Sequence, residues 1–340
     1  MESENINDSN DYFSSLEIHE SYNENTIDNS QEVNDFCLPA TMHGTIKHLV
    51  ISGGSVWGFS AFGILYEAMI SGFLDVNKLK SLYLTSVGSI IGIMISLKID
   101  PTIMREYLIQ RPWEVVCKKS TSSVLEIYDN KGIVQINFFV ECFSPLFKSI
   151  DLDVNSTMLD LYNYNGMDIH MYITELNSFT LIDISYKTHP EWRIIDAIHA
   201  SCTIPIVFTP IVKDNECYVD GGFFMNYPIS KCLEKVENLD EILGISLGNS
   251  ADTVDKLTVK PESNIFDLLN VVLNRVINNI DFFTNNKNVE IPYQIHYSSE
   301  PTTIDYCLRV LYSKEHRQTL IYKGINTMKG KMKEWFSTNK

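Results

Sequence analysis

The spacing of apolar and polar positions changes character near residue 46 of this 340-residue chain. Before it, Asn, Ser, Asp and Glu dominate and apolar residues are too sparse to bury anything, which predicts a disordered acidic tail over 1–45. From Lys47 the pattern tightens. An apolar run, His48 to Ile51, breaks into a Gly-rich turn over Ser52 to Gly58, and helical spacing then carries on to about Phe73. A second run, Leu79 to Leu84, breaks into Thr85-Ser86-Val87-Gly88 and another apolar helix. A strand–turn–helix unit used twice is the elementary brick of a parallel sheet with crossover helices. Both turns then fall at the carboxyl ends of their strands, where open α/β sheets place their chemistry.

Downstream, Pro101 opens a helix (Thr102 to Gln110) that Pro112 ends, and residues 114–165 carry mixed helical patterning without clear bounds. Ile169 to Thr174 and Thr180 to Ile184 read as strands, and Trp192 to Cys202 as a helix stopped by Thr203-Ile204-Pro205. Glu216 to Val219 is a short strand delivering Asp220-Gly221-Gly222 to a turn, and Glu241 to Leu247 and Tyr293 to Tyr297 are further β runs. Between them, Ile265 to Phe283 predicts a helix with one narrow polar stripe. Ile321, Ile325, Met328, Met332 and Trp335 line one side of a basic amphipathic helix carrying Lys323, Lys329, Lys331 and Lys333. Such a helix suits an anionic membrane surface, but docking on its own domain is the favoured reading. The expected organisation is the tail, a core over 46–235, and a strand-and-helix segment over 236–340 that completes the same domain.

Hydrophobic content of 44% and charged content of 21% are those of a globular protein. The formal charge of −16 argues against nucleic acid as a partner, since that binding needs basic patches. Ten of the acids and no Lys or Arg lie in residues 1–46, so the remainder carries only −6. The tail's partner is not readable. Seven scattered cysteines without C-x-x-C spacing favour reduced thiols over a disulfide framework or a zinc site. The N-terminus lacks a signal-peptide pattern and no apolar run approaches ~20 residues. The expectation is a cytoplasmic, non-secreted protein that meets membranes at most peripherally. Neither a Walker sequence, a G-x-G-x-x-G spacing nor an EF-hand run is present, so no cofactor and no metal are expected.

The first turn offers backbone N–H groups at a helix N-terminus, and the second offers a serine hydroxyl on a strand-to-helix elbow. An unassisted serine hydroxyl is a poor nucleophile and needs an adjacent base. His296 and His316 are the histidines that follow Asp220, and neither sits in a motif. His199 reads as a partly buried helix residue, and Asp196 as a local partner.

At this point a resemblance appears. Ser52-Gly53-Gly54-Ser55-Val56-Trp57-Gly58 resembles the oxyanion loop of the patatin-like phospholipases, and Thr85-Ser86-Val87-Gly88-Ser89 resembles their nucleophile elbow. Ala200-Ser201-Cys202-Thr203-Ile204-Pro205 is similar to the helix end before the catalytic aspartate. Asp220-Gly221-Gly222 with Asn226-Tyr227-Pro228 resembles the D-G-G element and its tail, and Thr174-Glu175-Leu176-Asn177 a family-like strand end. The resemblance implies a three-layer α/β/α domain with a mostly parallel central sheet. It also implies a lipid acyl hydrolase, phospholipase A-type or esterase, acting on lipid or phospholipid acyl esters at a transiently met membrane surface. By it, Ser86 is the nucleophile, Asp220 takes its proton directly, and the N–H groups of Gly53, Gly54 and Ser55 form the oxyanion hole. Gly58, Gly88, Gly221 and Gly222 support these turns. Three positions depart from the family pattern. Ser55 stands for a glycine, Trp57 for a basic residue, and Leu84 for the first glycine of the elbow. Those departures also suit a second reading, a catalytically inactive lipid- or protein-binding module on the same fold.

Overall fold

In the computed structural model, the described residues are 38–249, 290–299, 302–337 and scattered positions between 258 and 276. The tail through residue 37 and most of the 265–283 segment lie outside them. The chain runs β1 (His48–Ile51), α1 (Gly58–Ile70), β2 (Ser81–Thr85), α2 (Val87–Ser96), α3 (Pro101–Gln110), α4 (Trp113–Lys119), α5 (Val124–Asn130) and β3 (Gly132–Val134). It continues through α6 (Asn137–Lys148), α7 (Met158–Asn165), β4 (Asp168–Glu175), β5 (Thr180–Ile184), α8 (Ile194–Cys202), β6 (Ile206–Phe208), β7 (Ile211–Lys213) and β8 (Glu216–Asp220). The last described elements are α9 (Ile229–Leu233), β9 (Ile242–Asn249), β10 (Tyr293–Ser299), α10 (Ile304–Tyr312) and α11 (Lys314–Ser337).

The main sheet is mostly parallel, ordered β10-β9-β1-β2-β4-β8-β7, with β5 also on β4. β10, β9, β1, β2 and β4 run parallel, while β5, β8 and β7 join antiparallel. The central strands are apolar on both faces because both faces are covered, as parallel sheets require. Leu49, Ile51, Leu82, Leu84, Met171 and Ile173 pack toward one core, and Val50, Tyr83, Tyr172 and Ile242 toward a second. The alternation is the strand's two-residue period seen from both sides. The expected α/β architecture, a mainly parallel sheet flanked by helices, is the one observed.

α3 begins where its sequence signals say it should. Asp100 accepts the N–H groups of Thr102 and Ile103, and Pro101 occupies the first turn, where its missing N–H costs nothing. α11 lies against α1 through its apolar stripe, with Ile321, Met328 and Met332 buried and Lys323, Lys329 and Lys333 exposed. At the crossing the two backbones nearly touch. A Cβ on Gly63 would sit 2.1 Å from the Ile321 carbonyl oxygen, and one on Gly324 2.0 Å from that of Ser60. The Ser60 hydroxyl donates to the Leu320 carbonyl at 2.9 Å beside this contact. The amphipathic helix therefore docks on its own domain.

The strands that the sequence pattern does not announce are the shortest ones. β3, β6 and β7 are three residues each, too short for a period to register in sequence. β7 and β8 form a hairpin through Asp214-Asn215, both at positive φ (50° and 67°), the geometry of a type I′ turn. β2 starts at Ser81 rather than Leu79, and α1 ends at Ile70 rather than Phe73.

Candidate active site

Register brings the two ends of the site together. β2 lies along one edge of β4 with Thr85 opposite Tyr172, and the next residue of β4, Ile173, pairs with Asp220 of β8. β5 occupies the other edge. The strand that carries Ser86 thus runs out where the strand that carries Asp220 arrives. Gly221 makes the junction possible, since a Cβ there would lie 2.3 Å from the Tyr172 carbonyl oxygen. The Thr85 hydroxyl ties the two ends by donating to the Met225 carbonyl at 3.1 Å.

Ser86 sits at φ 54°, ψ −129°, a strained conformation for any residue but glycine, and α2 starts immediately after it. Its N–H donates to the Ser201 hydroxyl oxygen at 3.0 Å, and that hydroxyl donates to the Tyr172 carbonyl at 2.9 Å. The Ser89 hydroxyl lies 2.9 Å from the same oxygen. Ser201 is fully buried on α8 and braces the elbow from below. Gly88 passes so near β1 that a Cβ would be 2.4 Å from the Ile51 carbonyl oxygen.

Asp220 is 3% exposed. Burial pushes its carboxyl up to about 6, against the nearby Ser86 hydroxyl and the Gly222 N–H, which pull it down. The Gly222 N–H donates to Oδ1 at 2.7 Å. The main chain of Asp220 is fixed as well, its N–H on the Thr203 carbonyl at 2.8 Å and its carbonyl accepting the Thr174 hydroxyl at 3.0 Å. Ser86 and Asp220 are therefore together and buried, with the serine hydroxyl near enough to the carboxyl to affect its titration.

The turn after β1 lies beside them, since a Cβ on Gly53 would be 3.0 Å from the Ser86 Cβ. The Gly53 N–H is already committed to the Asn226 carbonyl at 3.1 Å. Of the three N–H groups expected to form an oxyanion hole, that of Gly53 is therefore taken up by the main chain. Ser52 anchors the base of the turn, its N–H on the Ile245 carbonyl and its hydroxyl oxygen accepting the Leu247 N–H at 2.7 Å. Gly58 opens α1, with the Val87 side chain filling the space a Cβ would need.

The other candidates stand apart. His296 and His316 are exposed, on β10 at the edge of the sheet and on α11. His199 is 3% exposed, and burial pushes its imidazole down to about 4, so it is neutral. Asp196 pairs bidentately with Arg193 at 2.7 and 2.8 Å. Among the described residues no cluster of His, Cys, Asp and Glu is arranged to hold a metal, and no helix is long and apolar enough to cross a membrane. Ser201 and Asn226 lie inside the motif runs, where the sequence pattern assigns neither of them a role. Their positions were the signal, since each lies in the run of residues that carries the resemblance.

Residues 49–233, just over half of the chain, match the patatin-like phospholipase family as a domain. The chain belongs to the patatin-like phospholipases. Among proteins of known sequence it is 25% identical over 226 residues to "Uncharacterized protein R571" of Acanthamoeba polyphaga mimivirus, covering 66% of this chain and 73% of that one. It is 23% identical over 183 residues to "Probable lipid hydrolase 463L" of Invertebrate iridescent virus 6, covering 54% of this chain and 62% of that one. Among solved structures, VipD from Legionella pneumophila aligns at 14% identity and a TM-score of 0.49, over 91% of this chain and 72% of that one. ExoU from Pseudomonas aeruginosa, in its complex with SpcU, aligns at 12% identity and a TM-score of 0.45, over 86% and 52%. Likenesses this distant carry no chemistry across.

Set against the patatin pattern, each departure has its own accommodation. Leu84 is fully buried, and its side chain fills the space beside Gly92, where a Cβ would meet it at 2.4 Å. Ser55 adopts φ 51°, the left-handed conformation that a glycine would take without cost. Trp57 is 3% exposed, stacks on Tyr306 and donates its Nε1–H to the Thr302 hydroxyl oxygen at 2.9 Å.

Proposed function

We propose that this protein is a lipid acyl hydrolase, of the phospholipase A or esterase type, working through a Ser86–Asp220 dyad. The Asp220 carboxylate takes the proton of the Ser86 hydroxyl as Oγ bonds to the acyl carbonyl carbon. The carbonyl electron pair moves onto oxygen, where the N–H groups of Gly54 and Ser55 and the N-terminus of α2 stabilise the charge. Collapse of this intermediate expels the lysolipid or alcohol, which takes the proton from Asp220. A water molecule, deprotonated by Asp220, then attacks the acyl carbon of the acyl-enzyme; the bond to Ser86 Oγ breaks, Oγ recovers its proton from Asp220, and a fatty acid is released. No metal or cofactor enters these steps.

The observation that carries the reading is the meeting of a strained elbow serine and a buried carboxyl at the junction of β2 and β8 on β4. A carboxylate with an ordinary pKa is a weak base at neutral pH, and one raised to about 6 is better matched to the task. The test is fluorophosphonate labelling of the wild type beside Ser86→Ala, with peptide mapping of the adduct. Labelling confined to Ser86, with hydrolysis of phospholipid or neutral esters, is the expected result. A folded wild type that binds lipid but neither labels nor hydrolyses would instead favour the inactive binding module, the reading that strain at Ser55 and the commitment of the Gly53 N–H support.

A further inference from the structure

We propose that α10 and the residues leading into it set the geometry of the oxyanion turn, with Thr302, Tyr306 and Cys307 as positioning residues for the Gly54 and Ser55 N–H groups. The inference rests on the hydrolase reading above. Three successive residues of the turn meet this one distant segment. The Ser55 hydroxyl lies 3.3 Å from the Cys307 thiol, 252 positions away in sequence. The Val56 N–H points to the same sulfur. The Trp57 indole stacks on Tyr306 with centroids 5.6 Å apart and planes at 24°, and its N–H donates to the Thr302 hydroxyl oxygen at 2.9 Å. Tyr297 of β10 closes the other side, 6.0 Å from the indole.

The physical need for such a strap lies at Ser55. A side chain held at φ 51° is strained in any residue but glycine, and without restraint the residue relaxes toward the ordinary regions. That relaxation rotates the flanking peptide planes, and the N–H groups of the turn lose their common aim. Preorganised donors stabilise an oxyanion only while they stay aimed, so a loose turn loses rate rather than substrate affinity. Both departures of this turn from the patatin pattern, Ser55 and Trp57, contact the same segment. The strain and its restraint form one arrangement.

The test uses the purified full chain, with p-nitrophenyl butyrate hydrolysis and the rate of fluorophosphonate labelling as readouts. Cys307→Ala and Thr302→Val each lower kcat about tenfold with KM within about twofold, a fraction of the ~10²–10³ lost with a whole oxyanion donor. The acid limb of the pH profile stays near about 6, because Asp220 is untouched. In a Ser55→Gly background the Cys307→Ala loss shrinks to less than about threefold, since glycine adopts the left-handed conformation unaided. Variants that melt earlier but keep wild-type kcat per folded molecule, or a loss that is the same in both backgrounds, would overturn the strap. A wild type that labels while the variants label equally fast sinks this inference alone. A folded wild type that neither labels nor hydrolyses sinks the hydrolase reading and this inference with it.

Discussion

At the end of β2, the turn carrying Ser86 is held by Ser201 of α8, the Tyr172 carbonyl and the arrival of β8, all within the 49–233 patatin region. At the end of β1, the turn over residues 52–57 is held by Asn226 within that region, but also by β9 and by α10 beyond it. The two turns share a strand–turn–helix plan and a non-glycine residue at positive φ. The elbow has its restraint inside the family domain. The Gly-rich turn also contacts the C-terminal segment, and the two of its residues that differ from the family pattern, Ser55 and Trp57, are where that segment touches it.

The comparison breaks most directly at the dyad. Asp220→Asn is expected to lower turnover by about 10³-fold or more, as removal of a catalytic-unit member does elsewhere. Its stability moves the opposite way. The folded pKa of about 6 lies above the ordinary carboxyl value of 3.8, so the folded state binds this proton more tightly than the unfolded one. That contribution is present below pH ~4 and lost as pH rises through about 6, reaching about 3 kcal/mol at pH 8. Asp220→Asn should therefore be more stable than wild type at pH 8 by up to that amount, and the gain should vanish near pH 4. Denaturant titrations at the two pH values measure it, and equal differences at both would refute the buried-charge account.

Ser201→Ala comes next. It removes the acceptor of the Ser86 N–H and leaves the Tyr172 carbonyl without its hydroxyl donor, in a fully buried place. We expect kcat to fall about 10²-fold and stability by about 1–3 kcal/mol. Ser201→Thr, which keeps the hydroxyl, should recover part of the rate, whereas an equal loss in both would make the site one of packing alone.

Gly92→Ala sharpens the point about Leu84. The added methyl meets Leu84 at 2.4–2.5 Å, and overpacking of this kind costs about 1–3 kcal/mol. The cost should largely disappear in a Leu84→Gly background, and a thermal-melt double-mutant cycle reads the coupling. The smallest effect belongs to the solvent face of α11. Lys329→Gln should change stability by less than about 0.5 kcal/mol, because an exposed lysine is screened by water.

Much of this was legible because the elements are long and local. β4, α3 and α8 are within a residue or two of the bounds their patterns predict, α3 with start signals in Asp100 and Pro101 and α8 with a stop signal in Pro205. The Ser86 elbow was readable because a serine after an apolar run and before a glycine-containing helix is a local event. The short strands around Pro205 were not, since three residues show no period. Nor was the loss of the Gly53 N–H to the Asn226 carbonyl, because a main-chain acceptor leaves no trace in residue identity.

The sequence by itself determined the parallel βα brick, the strand ends that carry Ser86 and Asp220, and the apolar stripe that docks α11. Each follows from spacing along the chain, where one side chain's direction fixes that of its neighbours. Tertiary structure decided the rest. It joined β2 and β8 end to end on one edge of β4, buried Asp220 so that its carboxyl rises to about 6, and laid α10 against Ser55, Val56 and Trp57. Pairing across more than a hundred residues and removal of a charge from water depend on what lies nearby in space, and spacing along the chain does not carry that information.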